Sequence, residues 1–222
     1  MCGRYTLLAD ELEILKAYGI EHTLDDFAPR YNVAPGQQVL SIIDDGNHNR
    51  AGYLTWGLVP SWSKDPKVGY KMINARSETA HEKPSFKRLL QRKRCLILAD
   101  SFYEWQRTED GKQPMRISQE GKPFFAFAGL WDRWRTEDRE LVTCTILTKE
   151  ANAFMEPIHH RMPIILPKED EAWWMEQEER DPSLMYDYLQ SVDVPDLQSY
   201  PVSTHVNNPR HEDEQCIQAI TT

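Results

Sequence analysis

The stretch Cys95-Leu96-Ile97-Leu98-Ala99-Asp100-Ser101-Phe102-Tyr103-Glu104-Trp105-Gln106 sets the class of fold. It contains two short β-type runs, 95–99 and 102–106, rich in aliphatic and aromatic side chains. Outward from it, runs of the same kind fall at 38–43, 53–58, 115–118, 124–128 and 141–147, with a further one at 164–166. Turn signals punctuate them at Asp45-Gly46, Asp110-Gly111 and Glu120-Gly121. A helix is predicted over 10–17, with Asp10 as N-cap, Glu13 as its capping-box partner and Gly19 as the stop, and with Leu12, Leu15 and Tyr18 near one face. Further helices are predicted at 84–91, 149–155 and 169–178, and the acidic stretch 168–193, with Trp173, Trp174 and Met175, reads as an amphipathic helix on the core. Strands fill the middle and helices flank them with no βαβ alternation. This predicts an α+β fold with a largely antiparallel, barrel-like β core and flanking helices.

The 222 residues set an expectation of one domain over 1–222. Hydrophobic residues make up 40% and charged residues 27%, an ordinary globular composition that argues against a disordered chain. No apolar run nears the roughly 20 residues a membrane helix needs, and Met1-Cys2-Gly3-Arg4-Tyr5 lacks the apolar stretch of a secretory signal. A cytoplasmic protein, expected to be a monomer, is therefore predicted. A formal net charge of −9 argues against coating nucleic acid by bulk charge. Between Lys71 and Arg107, however, nine basic residues stand against four acidic ones. Such an island can hold a few phosphates locally, and equally fits a solvated helix face at 86–92.

Of the four cysteines, Cys95 and Cys144 lie inside apolar runs and read as small buried hydrophobes, and nothing singles out Cys216. No Cys-x-x-Cys pair or zinc-type spacing is present, so neither metal nor cofactor is expected. Cys2 differs. Removal of Met1 would leave a free α-amine, with reference pKa about 7.7–8.0, beside a thiol of about 8.5. Such a 1,2-aminothiol can act as an N-terminal nucleophile with its amine as base. It can also condense with an aldehyde, the amine forming a Schiff base and the thiol closing a thiazolidine.

Other polar residues stand where packing alone explains them poorly. Asn74 lies in Ile73-Asn74-Ala75-Arg76-Ser77-Glu78-Thr79, and Glu104 interrupts an aromatic run, where partial burial would raise its pKa and suit acid/base work. His159 opens His159-His160-Arg161-Met162-Pro163. Each also has a structural reading: a turn cap, a cross-sheet ion pair, a satisfied core histidine. Taken together, the ordered motifs Met1-Cys2-Gly3-Arg4-Tyr5, Arg30-Tyr31-Asn32-Val33-Ala34-Pro35, Trp56-Gly57-Leu58-Val59-Pro60-Ser61-Trp62, the Asn74 motif, Phe102-Tyr103-Glu104-Trp105 and the His159 motif resemble the SOS-response-associated peptidase (SRAP) family. Residues 201–207 are similar to that family's C-terminal strand and turn. His160 is a departure, many relatives carrying Asp there.

The resemblance implies a protein that senses abasic sites in single-stranded DNA. Cys2, freed of Met1 by self-processing, would form a thiazolidine DNA–protein crosslink, with Asn74 orienting the terminus or the sugar. Glu104 would shuttle protons, and His159 would be a second acid/base in ring opening and crosslink reversal. β-Elimination through the Schiff base would give lyase activity. Arg4, Arg76 and Arg161 are candidate phosphate contacts, since guanidinium binds phosphate bidentately. Trp62 and Trp105 are candidates for base stacking, although burial explains tryptophans equally well. The competing readings are an N-terminal-nucleophile glutaminase using Cys2, a general protease pairing Cys2 with His159, and a noncovalent DNA-binding module.

Overall fold

The computed structural model describes residues 2–194 and 196–220. In chain order the first elements are β1 (Tyr5–Leu7), α1 (Glu11–Tyr18), β2 (Arg30–Val33), β3 (Gln38–Asp44), β4 (Asn49–Trp56), β5 (Asn74–Arg76), α2 (Ser77–Ala80) and α3 (Pro84–Arg92). The middle holds β6 (Arg94–Ala99), β7 (Ser101–Thr108), β8 (Gly111–Gln119), β9 (Phe125–Arg135) and β10 (Glu140–Glu150). Then follow β11 (Arg161–Pro163), β12 (Ile165–Leu166), α4 (Glu171–Met175), α5 (Pro182–Ser191) and β13 (Leu197–Pro201).

Two sheets result. In the first, β10, β4, β3, β6 and β9 pair in turn and β9 pairs back onto β10, which closes a five-stranded barrel. Closure leaves no free edge on those strands. The second runs β13-β8-β7-β1-β2. A single residue, Asp100, separates β6 in the barrel from β7 in the second sheet, so the stretch 95–106 links the two. Pairing is antiparallel except for β4 and β5, which both run parallel to β10. The α+β expectation with a barrel-like core thus holds, and every predicted strand is present.

All six residues of β6 are buried, as befits a strand covered on both faces. Tyr5 of β1 reaches from the second sheet into the barrel core, its ring centroid 5.4 Å from Trp56 and 5.7 Å from Phe127. The C-terminal segment forms a smaller core beside it from Tyr103, Val202, Val206 and Cys216.

Three expectations are corrected. The first helix has its Asp10 cap, accepting from the Leu12 and Glu13 amides, and its left-handed Gly19 stop, but it buries Ile14, Leu15 and Tyr18 and leaves Leu12 exposed. No helix forms over 149–155. Lys149 and Glu150 belong to β10, paired with Met162 and Arg161, and the Asn152 side chain takes the Met155 amide at 3.1 Å to form a turn. The acidic stretch is not one helix but a 3-10 turn (Lys168–Asp170), α4 and α5. Arg94, buried in β6, donates to the carbonyls of Trp174, Glu176 and Glu178, and so holds the chain out of helix where α4 stops.

Candidate active site around Cys2

The site lies where the two sheets meet. Cys2 precedes β1, which pairs with β7 through Tyr5 and Phe102, and the Tyr103 amide donates to the Arg4 carbonyl at 2.9 Å. Continuing that register lays the N-terminal residues alongside Glu104 and Trp105. Asn74 opens β5 on the barrel side, and its side-chain amide donates to the Cys2 carbonyl at 2.8 Å. The Asn74 carbonyl oxygen Oδ1 is buried and has no hydrogen-bond partner among the described residues. Cys2 is fully buried, with Sγ 3.9 Å from the Arg4 carbonyl. Burial pushes its thiol pKa far up and the nearby Glu104 charge adds to this, so the thiol is held protonated.

Glu104 is 2% exposed. Side chains alternate along a strand, so it shares the inner face with Phe102, while Tyr103 and Trp105 face the C-terminal segment. Burial raises its carboxyl above the ordinary range, opposed by nearby positive charge, His160 included. It lines a cleft of about 470 Å³ together with Trp105, Arg107, Lys112, His159 and His160. His159 is partly buried, stacked on His160 at 4.4 Å. Its Nδ1 accepts the Arg161 amide at 3.0 Å and lies 3.1 Å from the Arg161 carbonyl. A backbone amide hydrogen cannot turn away, so Nδ1 is the acceptor and the neutral ring carries its proton on Nε2. Desolvation and the surrounding positive charge, Arg161 and Arg107 included, lower its pKa and favour that neutral form.

The three candidate arginines sit differently. Arg4 is partly buried and donates to Asn32 Oδ1 (2.8 Å), the Val206 carbonyl (2.7 Å) and the Asn207 carbonyl (3.1 Å), tying the N-terminal strand to the C-terminal segment. Arg161 is buried in a bidentate pair with Glu78 (2.5 and 2.9 Å) and also donates to Thr148. Arg76 is exposed. Trp62 is 66% exposed, whereas Trp105 is partly buried and donates to Asn207 Oδ1 at 2.7 Å.

Three contributors went unread in the sequence. Arg107 and Lys112 place positive charge on the cleft beside Glu104 and His159. They come from facing positions of β7 and β8, a register that charge counting does not reveal. Glu78 fixes Arg161, whose amide in turn fixes the His159 ring. Glu78 lies inside a quoted motif, but its partner is 83 residues away.

Residues 1–209 match the family described as SOS response associated peptidase (SRAP). The chain belongs to the SRAP family. Among its SRAP relatives is the abasic site processing protein YoqW of Bacillus subtilis, 48% identical over 99% of this chain and 100% of that protein. The abasic site processing protein YoaM of the same organism is 46% identical over 99% of this chain and 98% of that one. A crystal structure of a protein from Bacteroides thetaiotaomicron superposes with a TM-score of 0.88 over 99% of this chain and 100% of that one. At 24% identity that likeness speaks for the SRAP fold alone.

Proposed function

We propose that this chain processes abasic sites in single-stranded DNA by forming a covalent crosslink through Cys2 after removal of Met1. One observation carries the reading. Asn74 of β5 donates to the carbonyl of the buried Cys2, and Glu104 of β7, whose charge acts on the Cys2 thiol, shares a cleft with His159 ahead of β11. A structural role for Cys2 would require none of them. That relatives at 48% and 46% identity are named abasic site processing proteins supports the same substrate.

The ring-opened sugar of an abasic site presents an aldehyde at C1′. The Cys2 amine, once free, has Asn74 Oδ1, without a hydrogen-bond partner among the described residues, as an acceptor to aim its lone pair at that carbon. Amine addition gives a carbinolamine, and Glu104, whose raised pKa lets it hold a proton nearer neutrality, protonates the departing hydroxyl as water. The Sγ–H then adds across the C=N bond, its proton passing to nitrogen, and the thiazolidine closes with loss of one water overall. Keeping the thiol protonated until this step makes the amine the first nucleophile. The Nε2–H of His159 assists ring opening and reversal. Elimination of the 3′ phosphate from the Schiff base is the lyase branch, and cleavage of the Met1–Cys2 bond by the same groups is the peptidase branch. Arg76, Arg107 and Lys112 are the phosphate contacts whose side chains reach the surface or the cleft, and Trp62 is a stacking surface. Arg4 and Arg161 hold the walls.

The test mixes the chain with single-stranded DNA bearing one abasic site and reads intact mass and a denaturing gel. The expected product is the chain without Met1 plus the oligonucleotide less one water, absent with Cys2→Ala and with undamaged DNA. A chain shown to lack Met1 that forms no adduct would overturn the reading, and glutamine hydrolysis by that chain would replace it with the glutaminase.

A further inference from the structure

We infer that the C-terminal segment carries a site for one zinc-class divalent cation, formed by His205 Nε2, a carboxylate oxygen of Asp213 and Cys216 Sγ. Among the described residues these three donor atoms lie within 4.8 Å of one another. They come from two short 3-10 turns packed together near the end of the chain, Thr204–Asn207 and Glu214–Cys216, the second with Asp213 as its N-cap. Nitrogen, oxygen and sulfur donors in one cluster suit zinc and its neighbours in the first transition row; calcium and magnesium take oxygen shells.

The turns are built before any ion arrives. Ser203 Oγ caps the first by accepting the His205 amide at 3.1 Å. Asp213 Oδ1 caps the second by accepting the Gln215 amide at 2.9 Å, and the Cys216 amide returns to the Asp213 carbonyl at 3.0 Å. Asp213 and Cys216 are thus locked on one side of a single turn, and Oδ2 is free of that cap. The His211 ring lies flat on His205, with centroids 3.8 Å apart and planes at 15°, and its Nδ1 sits 2.7 Å from the His205 carbonyl. The imidazole is held facing the carboxylate, both of whose oxygens stand 3.1 Å from Nε2. Bringing three donors onto one ion from this spacing takes shifts of an ångström or less, given metal–ligand bonds of about 2.0–2.3 Å.

Charge also balances. A neutral imidazole, a carboxylate and a thiolate cancel the charge of one divalent ion, with water as fourth ligand. Binding releases the Cys216 thiol proton, and the His205 ring then carries its proton on Nδ1. Cys216 is buried and its side of the site is closed, whereas the Asp213 side chain is 49% exposed, so the ion enters past the carboxylate. The ligands alternate along the chain with the carbonyls that hold the N-terminal strand: Val206 and Asn207 take Arg4, His211 takes Asn32, and Cys216 takes the Tyr103 hydroxyl. An ion here would tighten the clamp on Arg4, two residues from Cys2.

The experiment titrates Zn²⁺ into the metal-free full chain carrying Cys2→Ala, which removes the N-terminal thiol as a competing ligand. It reads native mass, Co²⁺ absorption and Tm. The expected result is one ion per chain, a Co²⁺–thiolate band, and a Tm that rises with zinc concentration. Cys216→Ser abolishes the band, and Asp213→Asn weakens binding at least about tenfold. No stoichiometric ion, or an ion retained at full affinity by Asp213→Asn, overturns the site. Asp213 lies at the surface, so this second variant decides the matter even if the buried Cys216→Ser chain does not fold.

Discussion

Under the proposed reaction, the buried Glu104 carboxyl would decide when chemistry can occur. In that role it would act as an acid in its protonated form, whose fraction falls about tenfold for each pH unit above its pKa. Burial raises that pKa, so the protonated form survives to higher pH than on an exposed carboxylate, whose reference value is about 4.3. Single-turnover crosslinking rates, normalised to the fraction of free amine, are therefore expected to decline as pH rises through the raised pKa. Glu104→Gln removes that decline and slows the reaction by about 10²–10⁴-fold; a normalised profile unchanged by the substitution would remove Glu104 from the mechanism. At this scale the sequence was informative where a residue is out of character. A carboxylate inside an aromatic strand and a polar cluster after an apolar pair announce themselves. What a guanidinium binds does not: Arg161 meets Glu78, and Arg4 meets the Val206 carbonyl, across distances in sequence that no local pattern spans.

Strands were legible as elements because barrel burial demands continuous apolar runs, and β6, β9 and β10 supply them. Helices were less so, because their ends here are set from outside. Arg94 is the clearest case, a buried guanidinium that donates to carbonyls at the end of α3, Leu90 and Gln91, to that of Trp174 in α4, and to those of Glu176 and Glu178 beyond α4. Nothing within 169–178 records that partner, so the local pattern there favours a longer helix. Arg94→Met leaves these acceptors unpaired, and urea denaturation is expected to show a loss of about 3–5 kcal/mol. A loss below about 1 kcal/mol would mean that water replaces the guanidinium without cost. At the barrel wall, a Cβ on Gly129 would stand 2.7 Å from Cys95 Sγ, because the Cys95 and Ile97 side chains of β6 fill the space a side chain at residue 129 would need.

Over the whole molecule, the two ends of the chain complete one structure. Asn32 is fully buried, and its amide nitrogen bonds the carbonyls of Val206, Asn208 and His211, while its oxygen accepts from Arg4. Asn32→Leu strands all of these at a cost of about 1–3 kcal/mol or more. The expected outcome is a lower Tm and limited proteolysis within 203–216 at least about tenfold faster, as local opening becomes more populated. Unchanged cleavage would mean that the small core around Tyr103 holds the segment by itself. The fold class was legible from the order of the runs, but not this closure, which depends on polar side chains meeting backbone carbonyls far along the chain.

The Arg4–Val206 contact joins residues 202 positions apart. At about 5–20 residues per second, the ribosome needs roughly 10–40 s to make the second after the first. During that interval the walls around Cys2 are incomplete, and the residue that ends fully enclosed is open to whatever the nascent chain meets. Enzymes that trim new N-termini would have their access then. The order of synthesis thus gives this protein a brief period in which its N-terminus is open to trimming, before the C-terminal segment closes on Arg4.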